Sequence, residues 1–300
     1  MARDLDAIAA ETSLATAYSV LFKPRVSVMV IITAAVGLYL GDLRSGVNPL
    51  HLQALFALAG VALVTCGSSV LNQVLERKSD ALMPRTRSRP MVTGRIGLLH
   101  GLLLGFAAVV GGTLVLATKT NVLTTTLTLL TAIAYVAIYT PLKRITSLNT
   151  FIGAFPGALP PLIGWTAARG VIEWPGVALF AVLFVWQFPH FMAIAWMYRE
   201  DYARAGIRML PVVDPSGDVT FRVIISMSAV LVPVSLLPAV MGMAGIRYFF
   251  GALILGMLLL QVALWANRAR TNVRAKWLMH ATVAHIPLLL GWMIFDKLGR

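Results

Sequence analysis

The segment NQVLERKSDALMPRTRSRPMVTG, residues 72–94, places a dense group of polar and cationic side chains directly after a long apolar run. Asn72, Glu76 and Asp80 are spaced by four residues, so on a helix they drift by only about 40° per step and share one face. Oxygen-bearing side chains of this kind suit Mg²⁺, which usually adds waters and phosphate oxygens to one or two carboxylates. The spacing therefore predicts a magnesium site.

Three arginines follow in the same segment. Arg85, Arg87 and Arg89 carry guanidinium groups whose planar forks match phosphate oxygens. Carboxylates, a metal ion and arginines together favour a site for a metal-bound diphosphate. The spacing alone also fits a solvated basic loop in which the acids pair with Arg77 and Lys78.

The composition excludes an ordinary soluble domain, because 58% of the residues are hydrophobic and only 12% are charged, with a mean hydropathy of +0.81. It predicts an all-α polytopic membrane protein with about nine transmembrane helices. The predicted spans are residues 26–41, 51–71, 98–117, 121–139, 148–168, 174–197, 221–242, 246–266 and 276–295.

The basic residues predict the orientation of these spans. With nine spans, 19 of the 25 Lys and Arg residues fall on the side of the N-terminus and 6 on the other side, which predicts a cytoplasmic N-terminus and an outside C-terminus. The net charge of +13 is then a topology signal and an attraction to the lipid bilayer, and no nucleic-acid partner is expected.

No linker long enough to separate domains interrupts the chain, which predicts one membrane domain over residues 1–300 with a short cytoplasmic segment, residues 1–25. An Arg-rich, acid-poor transit peptide does not precede the spans, which favours a prokaryotic cell (inner) membrane.

A second polar segment, YREDYARAGIRMLPVVD at residues 198–214, is predicted on the same side of the membrane as the first. Glu200 and Asp201 can supply a second metal, and Arg204 and Arg208 can hold phosphate. A juxtamembrane loop that binds lipid headgroups explains the same residues.

Polar residues also occur inside the sixth span, in WQFPHFMAIAW. Gln187 and His190 at this depth are expected to face a cavity, and Pro189 frees a backbone carbonyl. His190 has three interpretations: a hydrogen-bonded packing residue, a proton carrier, or an axial ligand to haem iron. His280 and His285 in the last span are weaker candidates.

One further segment precedes the fifth span, and another lies inside it. Tyr139, Lys143 and Arg144 in YTPLKR lie on the side that carries the polar segments, where the two cations either bind a carboxylate or diphosphate or simply anchor the span. GALPPLIGW is predicted to break the fifth helix at Pro160 and Pro161, which favours a substrate chamber there.

These blocks resemble the UbiA superfamily of intramembrane prenyltransferases, and within it the branch that farnesylates haem. The resemblance spans nearly the whole chain and rests, in the family's order, on NQVLERKSD with MPRTRSRP, YTPLKR, GALPPLIGW, WQFPHFMAIA and DYARAGIRMLPVV. Two positions depart from the pattern, since Glu76 replaces a frequent Asp and Arg208 replaces a frequent Pro. Ala205 follows Asp201 by four residues, so we expect one strong and one partial metal site.

The resemblance implies a UbiA-like helical bundle around a central cavity, Mg²⁺ as cofactor, and transfer of a farnesyl group from farnesyl diphosphate to a vinyl group of haem b, with water addition, to give haem o. It also implies haem A synthase or terminal oxidase assembly factors as partners. Aromatic rings are expected to stabilise the allylic cation, with Tyr139, Trp186 and Tyr202 as candidates.

Residue pattern and resemblance together predict three groups of site residues. The catalytic group is Asn72, Glu76, Asp80, Arg85, Arg89 and His190. The substrate-binding group is Arg87, Tyr139, Lys143, Arg144, Asp201, Tyr202 and Arg204. The metal-binding group is Asn72, Glu76, Asp80 and Asp201.

Two rival functions also fit the sequence. Another prenyltransferase of the superfamily, acting on an aromatic or quinone precursor or on chlorophyllide, would share the diphosphate site. A secondary transporter can also have nine spans with polar breaks, but it would place its key acids near the midplane.

Overall fold

The computed structural model describes residues 13–298, and within them nine helices are long and apolar enough to cross a membrane. The predicted all-α fold and the number of spans are confirmed. The spanning helices are α2 (Pro24–Ser45), α3 (Leu52–Asp80), α4 (Leu98–Lys119), α5 (Val122–Leu142), α6 (Asn149–Arg169), α7 (Trp174–Met197), α10 (Asp218–Val240), α11 (Ile246–Asn267) and α12 (Asn272–Leu298).

Three shorter helices lie outside the spans: α1 (Leu14–Phe22), α8 (Arg199–Arg204) and α9 (Leu210–Val213). Helix α1 falls within the predicted N-terminal segment 1–25, of which residues 1–12 lie outside the described residues, as do residues 299–300 at the other end. Ser13 caps α1 by accepting a hydrogen bond from the Thr16 amide. The Nε2 of Gln73 on α3 donates to the carbonyl oxygens of Val20 and Leu21 and so holds the end of α1.

Helix α3 is much longer than predicted, because it continues from residue 71 to Asp80. Its 29 residues span about 43 Å at 1.5 Å per residue, well beyond the apolar thickness of a bilayer of roughly 30 Å. The last turns of α3, which carry Glu76 and Asp80, therefore reach the membrane surface as one rigid extension of the span.

Helix α6 is not broken, so the predicted break at Pro160 and Pro161 is wrong. The helix runs continuously through Pro156, Pro160 and Pro161. Each proline at 160 and 161 lacks the N–H that would bond the carbonyl four residues earlier, which frees the carbonyls of Pro156 and Gly157. Both of these residues line a cavity, which is where freed carbonyls are tolerated inside a membrane.

Glycines allow α2 and α6 to approach each other closely. A Cβ at Gly37 would overlap the backbone carbonyl of Pro161, and one at Gly164 would overlap the carbonyl of Ala34. No larger residue fits at either position without moving a backbone, so the α2–α6 pair forms a fixed wall.

Helix α7 separates two environments. One face packs into the largest apolar cluster, which α7 forms mainly with α10, α11 and α12 and which contains Trp196, Phe221 and Tyr248. The opposite face, with Gln187 and Phe191, borders a cavity enclosed by α2, α3, α5, α6 and two loops.

Candidate active site

A cavity of about 350 Å³ runs from the end of α3 into the membrane-spanning bundle. Its deep end is mainly apolar and is lined by Val30, Val61, Pro160 and Ile163, together with Thr65 and Thr128. Its mouth is polar and charged, with side chains from α3, from the end of α5, and from the loops that follow α3 and α7. Such a cavity accommodates an amphiphile with an apolar chain and an anionic head.

The polar face of α3 forms one wall of this mouth. Asn72, Glu76 and Asp80 all line the cavity, as the four-residue spacing predicts. Asn72 is 0% exposed and Asp80 1% exposed, so a solvated basic loop does not describe them.

Each of these three side chains is paired with a cation. Nζ of Lys23 lies 2.6 Å from Oδ1 of Asn72, Nζ of Lys143 lies 2.7 Å from Oε1 of Glu76, and Nη1 of Arg89 lies 2.6 Å from Oδ2 of Asp80. The alternative, in which these acids pair with Arg77 and Lys78, is not what the structure shows, since Glu76 pairs with Lys143 and Asp80 with Arg89. Three oxygens and three cations at one cavity mouth form a ready receptor for a metal-bound polyanion.

The orientation of the Asn72 amide is fixed by its partners. Its Nδ2 donates to Oγ1 of Thr140, and the Thr140 hydroxyl donates in turn to the carbonyl of Tyr135. Oδ1 of Asn72 is therefore the atom that faces Lys23 and the cavity, which is the orientation that a metal ligand requires.

Lys23 was missed by the sequence analysis, although it is central to the site. It links α1 to α2 in a left-handed conformation with φ of 48°, and the following Pro24 begins α2. Burial, together with the nearby Arg89 guanidinium, lowers the pKa of the Lys23 ammonium to about 7. A lone lysine before a first span is an ordinary topology signal, so the sequence carried no mark of this role.

Lys143 lies on the side of the polar segments, as predicted. Burial alone would lower the pKa of its ammonium, but the Tyr139 hydroxyl and the Glu76 carboxylate raise that pKa above its ordinary value. The ammonium also lies 4.4 Å from the centre of the Tyr139 ring. Lys143 is thus a permanent positive charge at the mouth.

Two tyrosines of α5 line the cavity next to these cations. The rings of Tyr135 and Tyr139 are stacked with centroids 5.9 Å apart, within a π-helical segment, Ala134–Tyr139. Tyr139 packs directly on Gly153 of α6, where a Cβ would overlap the ring. Electron-rich rings of this kind attract cations, as the Lys143 ammonium over the Tyr139 ring shows.

Arg85 joins the two loops that close the mouth. Its guanidinium lies 4.8 Å from the ring centre of Tyr198 and 5.0 Å from that of Tyr202, and its Nη2 donates to the Tyr202 hydroxyl at 2.8 Å. Met83 and Met209 pack beneath this contact. Arg85, Tyr202, Met83 and Met209 all line the cavity, so the loops form its cover.

Other predicted site residues do not line this cavity. Asp201 forms an ion pair with the exposed Arg204 on α8. Within residues 13–298 there is no group of three His, Cys, Asp or Glu side chains that could hold a metal. The oxygen ligands that the cavity offers are the carboxylates of Glu76 and Asp80 and the amide of Asn72. The predicted residues outside its lining are Arg87, Arg144, Trp186, His190, Glu200, Asp201, Arg204 and Arg208.

His190 faces α12, while its neighbour Phe191 faces the cavity. The Thr282 hydroxyl donates to the carbonyl of Met279, so it can only accept from Nδ1 of His190, 2.9 Å away. His190 therefore carries its proton on Nδ1 and presents the lone pair of Nε2. Trp186 stacks on the ring at 4.8 Å and donates to the Thr282 carbonyl, which fixes the imidazole plane.

Known proteins resemble this chain along almost its whole length. The UbiA prenyltransferase family matches residues 14–289. The chain belongs to this family. This UbiA family member is 47% identical over 292 residues to a protoheme IX farnesyltransferase of Koribacter versatilis, covering 95% of this chain and 94% of that protein. It is 41% identical over 289 residues to a protoheme IX farnesyltransferase of Solibacter usitatus, covering 94% and 99%.

Solved structures share the fold of this UbiA family member. A digeranylgeranylglyceryl phosphate synthase superposes with a TM-score of 0.78 at 17% identity, covering 95% of this chain and 98% of the other. A UbiA homologue of Archaeoglobus fulgidus bound to DMAPP and Mg²⁺ superposes with a TM-score of 0.63 at 17% identity, covering 92% and 98%. The UbiA-like bundle expected from the sequence is confirmed.

Proposed function

We propose that this chain transfers the farnesyl group of farnesyl diphosphate to a vinyl group of haem b, with addition of water, to give haem o and diphosphate. The observation that carries the proposal is the cavity itself, in which Asn72, Glu76 and Asp80 meet three cations above an apolar chamber. The choice of haem as acceptor is supported by relatives that cover 93–95% of the chain and are named protoheme IX farnesyltransferases.

The site fits Mg²⁺ by the chemistry of its donors. Oδ1 of Asn72 and the carboxylates of Glu76 and Asp80 would hold the ion, with phosphate oxygens and water completing its octahedron. When bound, Mg²⁺ would neutralise the charge that develops on the leaving diphosphate. A role for Asp201 in a second metal site remains a proposal, since its carboxylate faces Arg204.

The cations would change partners when the diphosphate binds. Lys23, Arg89 and Lys143 each hold one oxygen of α3, and each would turn to the phosphate oxygens as the ion takes its place. Positive charge fixed beside the leaving group stabilises the charge that develops as the allylic C–O bond breaks. Arg85 and Tyr202, which cover the mouth, would exclude water from this step.

The farnesyl chain would occupy the apolar end of the cavity. Val30, Val61 and Ile163 there present hydrocarbon surface that suits the prenyl chain. Tyr135 and Tyr139 stand between this chamber and the charged mouth, where their ring faces would stabilise the cation.

The haem would lie with its iron on Nε2 of His190 and its propionates near cations. His190 presents an unprotonated Nε2 beside Phe191, a residue of the cavity wall. Because Lys143 would turn to the diphosphate, the propionates would fall to Arg144, with Arg204 as a further cation around the mouth.

The setting of the reaction follows from the charges and the relatives. The excess of basic residues on one side supports a cytoplasmic N-terminus, and the relatives are bacterial proteins, which supports the cell (inner) membrane. The product would pass to haem-copper terminal oxidases, with haem A synthase or oxidase assembly factors as partners.

The deciding experiment incubates the purified protein with farnesyl diphosphate, Mg²⁺ and haem b. Haem o and diphosphate should appear together and should require the metal. Diphosphate release that depends on an aromatic, quinone-precursor or chlorophyllide acceptor, but not on haem b, would instead identify another prenyltransferase. A transporter is disfavoured because Glu76 and Asp80 lie in the last turns of α3, away from the midplane.

A further inference from the structure

Gln187 is a buried polar side chain in the cavity wall to which the reaction scheme above gives no role. It is 2% exposed and lies in the middle of α7. Its Nε2 donates to the carbonyl of Ala154 at 3.0 Å and to the carbonyl of Leu183 at 3.2 Å. Both amide hydrogens are thus used, and a flipped amide would place an oxygen against two carbonyl oxygens.

The remaining atom, Oε1 of Gln187, is an acceptor held in one position. Among the described residues no donor bonds to it, and it is not one of the sealed, unpartnered side-chain atoms, so it is open to the cavity that Gln187 lines. Gly157 makes room for it, because a Cβ at Gly157 would overlap Oε1. A fixed acceptor in the membrane-spanning part of a cavity needs a donor to satisfy it.

The level of Gln187 is set by its neighbours on α6. Gly153 contacts the ring of Tyr139, whose face is next to Lys143. Gly157 lies one turn further along α6, roughly 6 Å deeper at 1.5 Å per residue. Oε1 of Gln187 is therefore about one helical turn below the cations that would hold the diphosphate, where the first carbons of the prenyl chain and the acceptor would meet.

We propose that Oε1 of Gln187 positions the water molecule that adds to the haem-derived cation. This inference rests on the proposed function. The C–O bond of farnesyl diphosphate breaks with its electron pair on the diphosphate, and the vinyl π pair forms the new C–C bond. The cation left on the carbon next to the porphyrin ring takes a lone pair from water, which donates one hydrogen bond to Oε1 and passes a proton to the departing diphosphate.

Without this water the same cation has a different outcome. It loses a proton from the neighbouring carbon, again to the diphosphate, and gives an alkene lighter than haem o by one water. The ratio of hydrated to anhydrous product therefore reports on water placement alone. General damage to the fold lowers the amount of both products and leaves their ratio unchanged.

The test compares two variants that remove the acceptor in different ways. Gln187→Leu deletes it, and Gly157→Ala displaces it while leaving Gln187 in the chain and favouring the helix. In both, we expect diphosphate release to continue and the hydrated-to-anhydrous ratio to fall roughly ten-fold, the factor that corresponds to one lost hydrogen bond. Products are separated by mass.

Gln73→Leu is the matched control. Gln73 is 0% exposed and its Nε2 also donates to two backbone carbonyls, but it does not line the cavity. Its loss is expected to leave the product ratio unchanged even if the rate falls.

Two results would overturn the inference: a wild-type product ratio in both variants, or loss of diphosphate release in both, since water adds only after the C–C bond has formed. Failure of the proposed function itself is distinguishable, because then the unmodified protein forms no prenylated haem.

Discussion

Nζ of Lys23 donates a 2.6 Å hydrogen bond to Oδ1 of Asn72, so the cation that precedes the first spanning helix meets the amide that begins the polar face of α3. Gln73, the next residue on α3, holds the end of α1 through two carbonyls. Two consecutive residues of α3 thus bind the connection between α1 and α2. Gln73 bonds backbone carbonyls of that connection, and Asn72 bonds the charged side chain of Lys23. The fold thereby places a positive charge where the sequence alone shows only a topology signal.

The first prediction concerns the pH dependence of diphosphate binding. Burial and the Arg89 guanidinium lower the pKa of Lys23 from 10.5 to about 7, and a diphosphate beside it would raise that pKa again. At a pH between the pKa of Lys23 in the empty site and its pKa beside the diphosphate, binding must take up a proton. The affinity for farnesyl diphosphate should therefore fall as pH rises above 7. Calorimetry at about pH 8 in buffers of different ionisation enthalpy measures the uptake.

Lys23→Arg provides the matched comparison, because a guanidinium stays protonated throughout this range. It should bind with no proton uptake and with a flatter pH profile. Equal proton uptake in Lys23→Arg and the unmodified protein would contradict the assignment.

The second prediction separates the two candidate metal positions. Asp80→Asn keeps the shape of the side chain but removes a charge that is buried in the cavity wall, so haem o formation should fall by roughly 100-fold, with a higher requirement for Mg²⁺. Asp201→Asn should change the rate by less than about ten-fold, because that carboxylate faces the exposed Arg204.

Magnesium titration of both variants is the measurement. If Asp201 carries a second essential ion, Asp201→Asn will lose as much activity as Asp80→Asn and will shift the Mg²⁺ dependence in the same direction. That result would restore the partial metal site expected from the sequence.

Asp201 shows how far the sequence predicts the positions of the side chains at this site. Within α3 the spacing of Asn72, Glu76 and Asp80 was sufficient to predict that their side chains lie together, because helical geometry alone brings residues four apart onto one face. Asp201 and Arg204 lie in a short helix after α7, and no periodic rule determines which way such a segment turns. The side of the membrane was predictable there, and the direction of each side chain was not.

The unbroken α6 has a related cause. Pro160 and Pro161 each remove a hydrogen bond, and such a pair in a sequence predicts a break in the helix. The helix survives because α2 clamps it through Gly37 and Gly164 and because the freed carbonyls belong to residues of the cavity wall. Both reasons are tertiary contacts between segments more than a hundred residues apart, which a local pattern does not reveal.

The third prediction compares two arginines of the same segment. Arg85 lies between the rings of Tyr198 and Tyr202 and lines the cavity, whereas Arg87 does not line it. Arg85→Ala should lower kcat/KM for farnesyl diphosphate by roughly ten-fold or more, since one cation–π and hydrogen-bonded cover contact is lost.

Arg87→Ala is expected to stay within about two-fold of the unmodified protein, as is usual for an exposed charge. Steady-state kinetics on both variants decides the matter. Equal losses in the two would mean that the segment acts through its overall charge and that Arg85 has no special contact with the cover.

The fourth prediction concerns the iron of the acceptor. His190 holds its proton on Nδ1, because the Thr282 hydroxyl that it meets already donates to the Met279 carbonyl. Nε2 is then free to bind iron, and ferric haem b titrated into the purified protein should give the absorption spectrum of a histidine-ligated haem. His190→Ala should abolish that spectrum, and Thr282→Val, which removes only the acceptor for Nδ1–H, should weaken haem binding by about 10- to 100-fold.

His280→Ala serves as the control, since His280 lies exposed on α12 beside Trp277. It should leave the spectrum unchanged. A histidine-ligated spectrum that survives in His190→Ala but disappears in a variant of another histidine would move the iron away from α7. Thr282→Val should weaken haem binding less than His190→Ala does, because Thr282 acts on the iron only by fixing which nitrogen of His190 carries the proton.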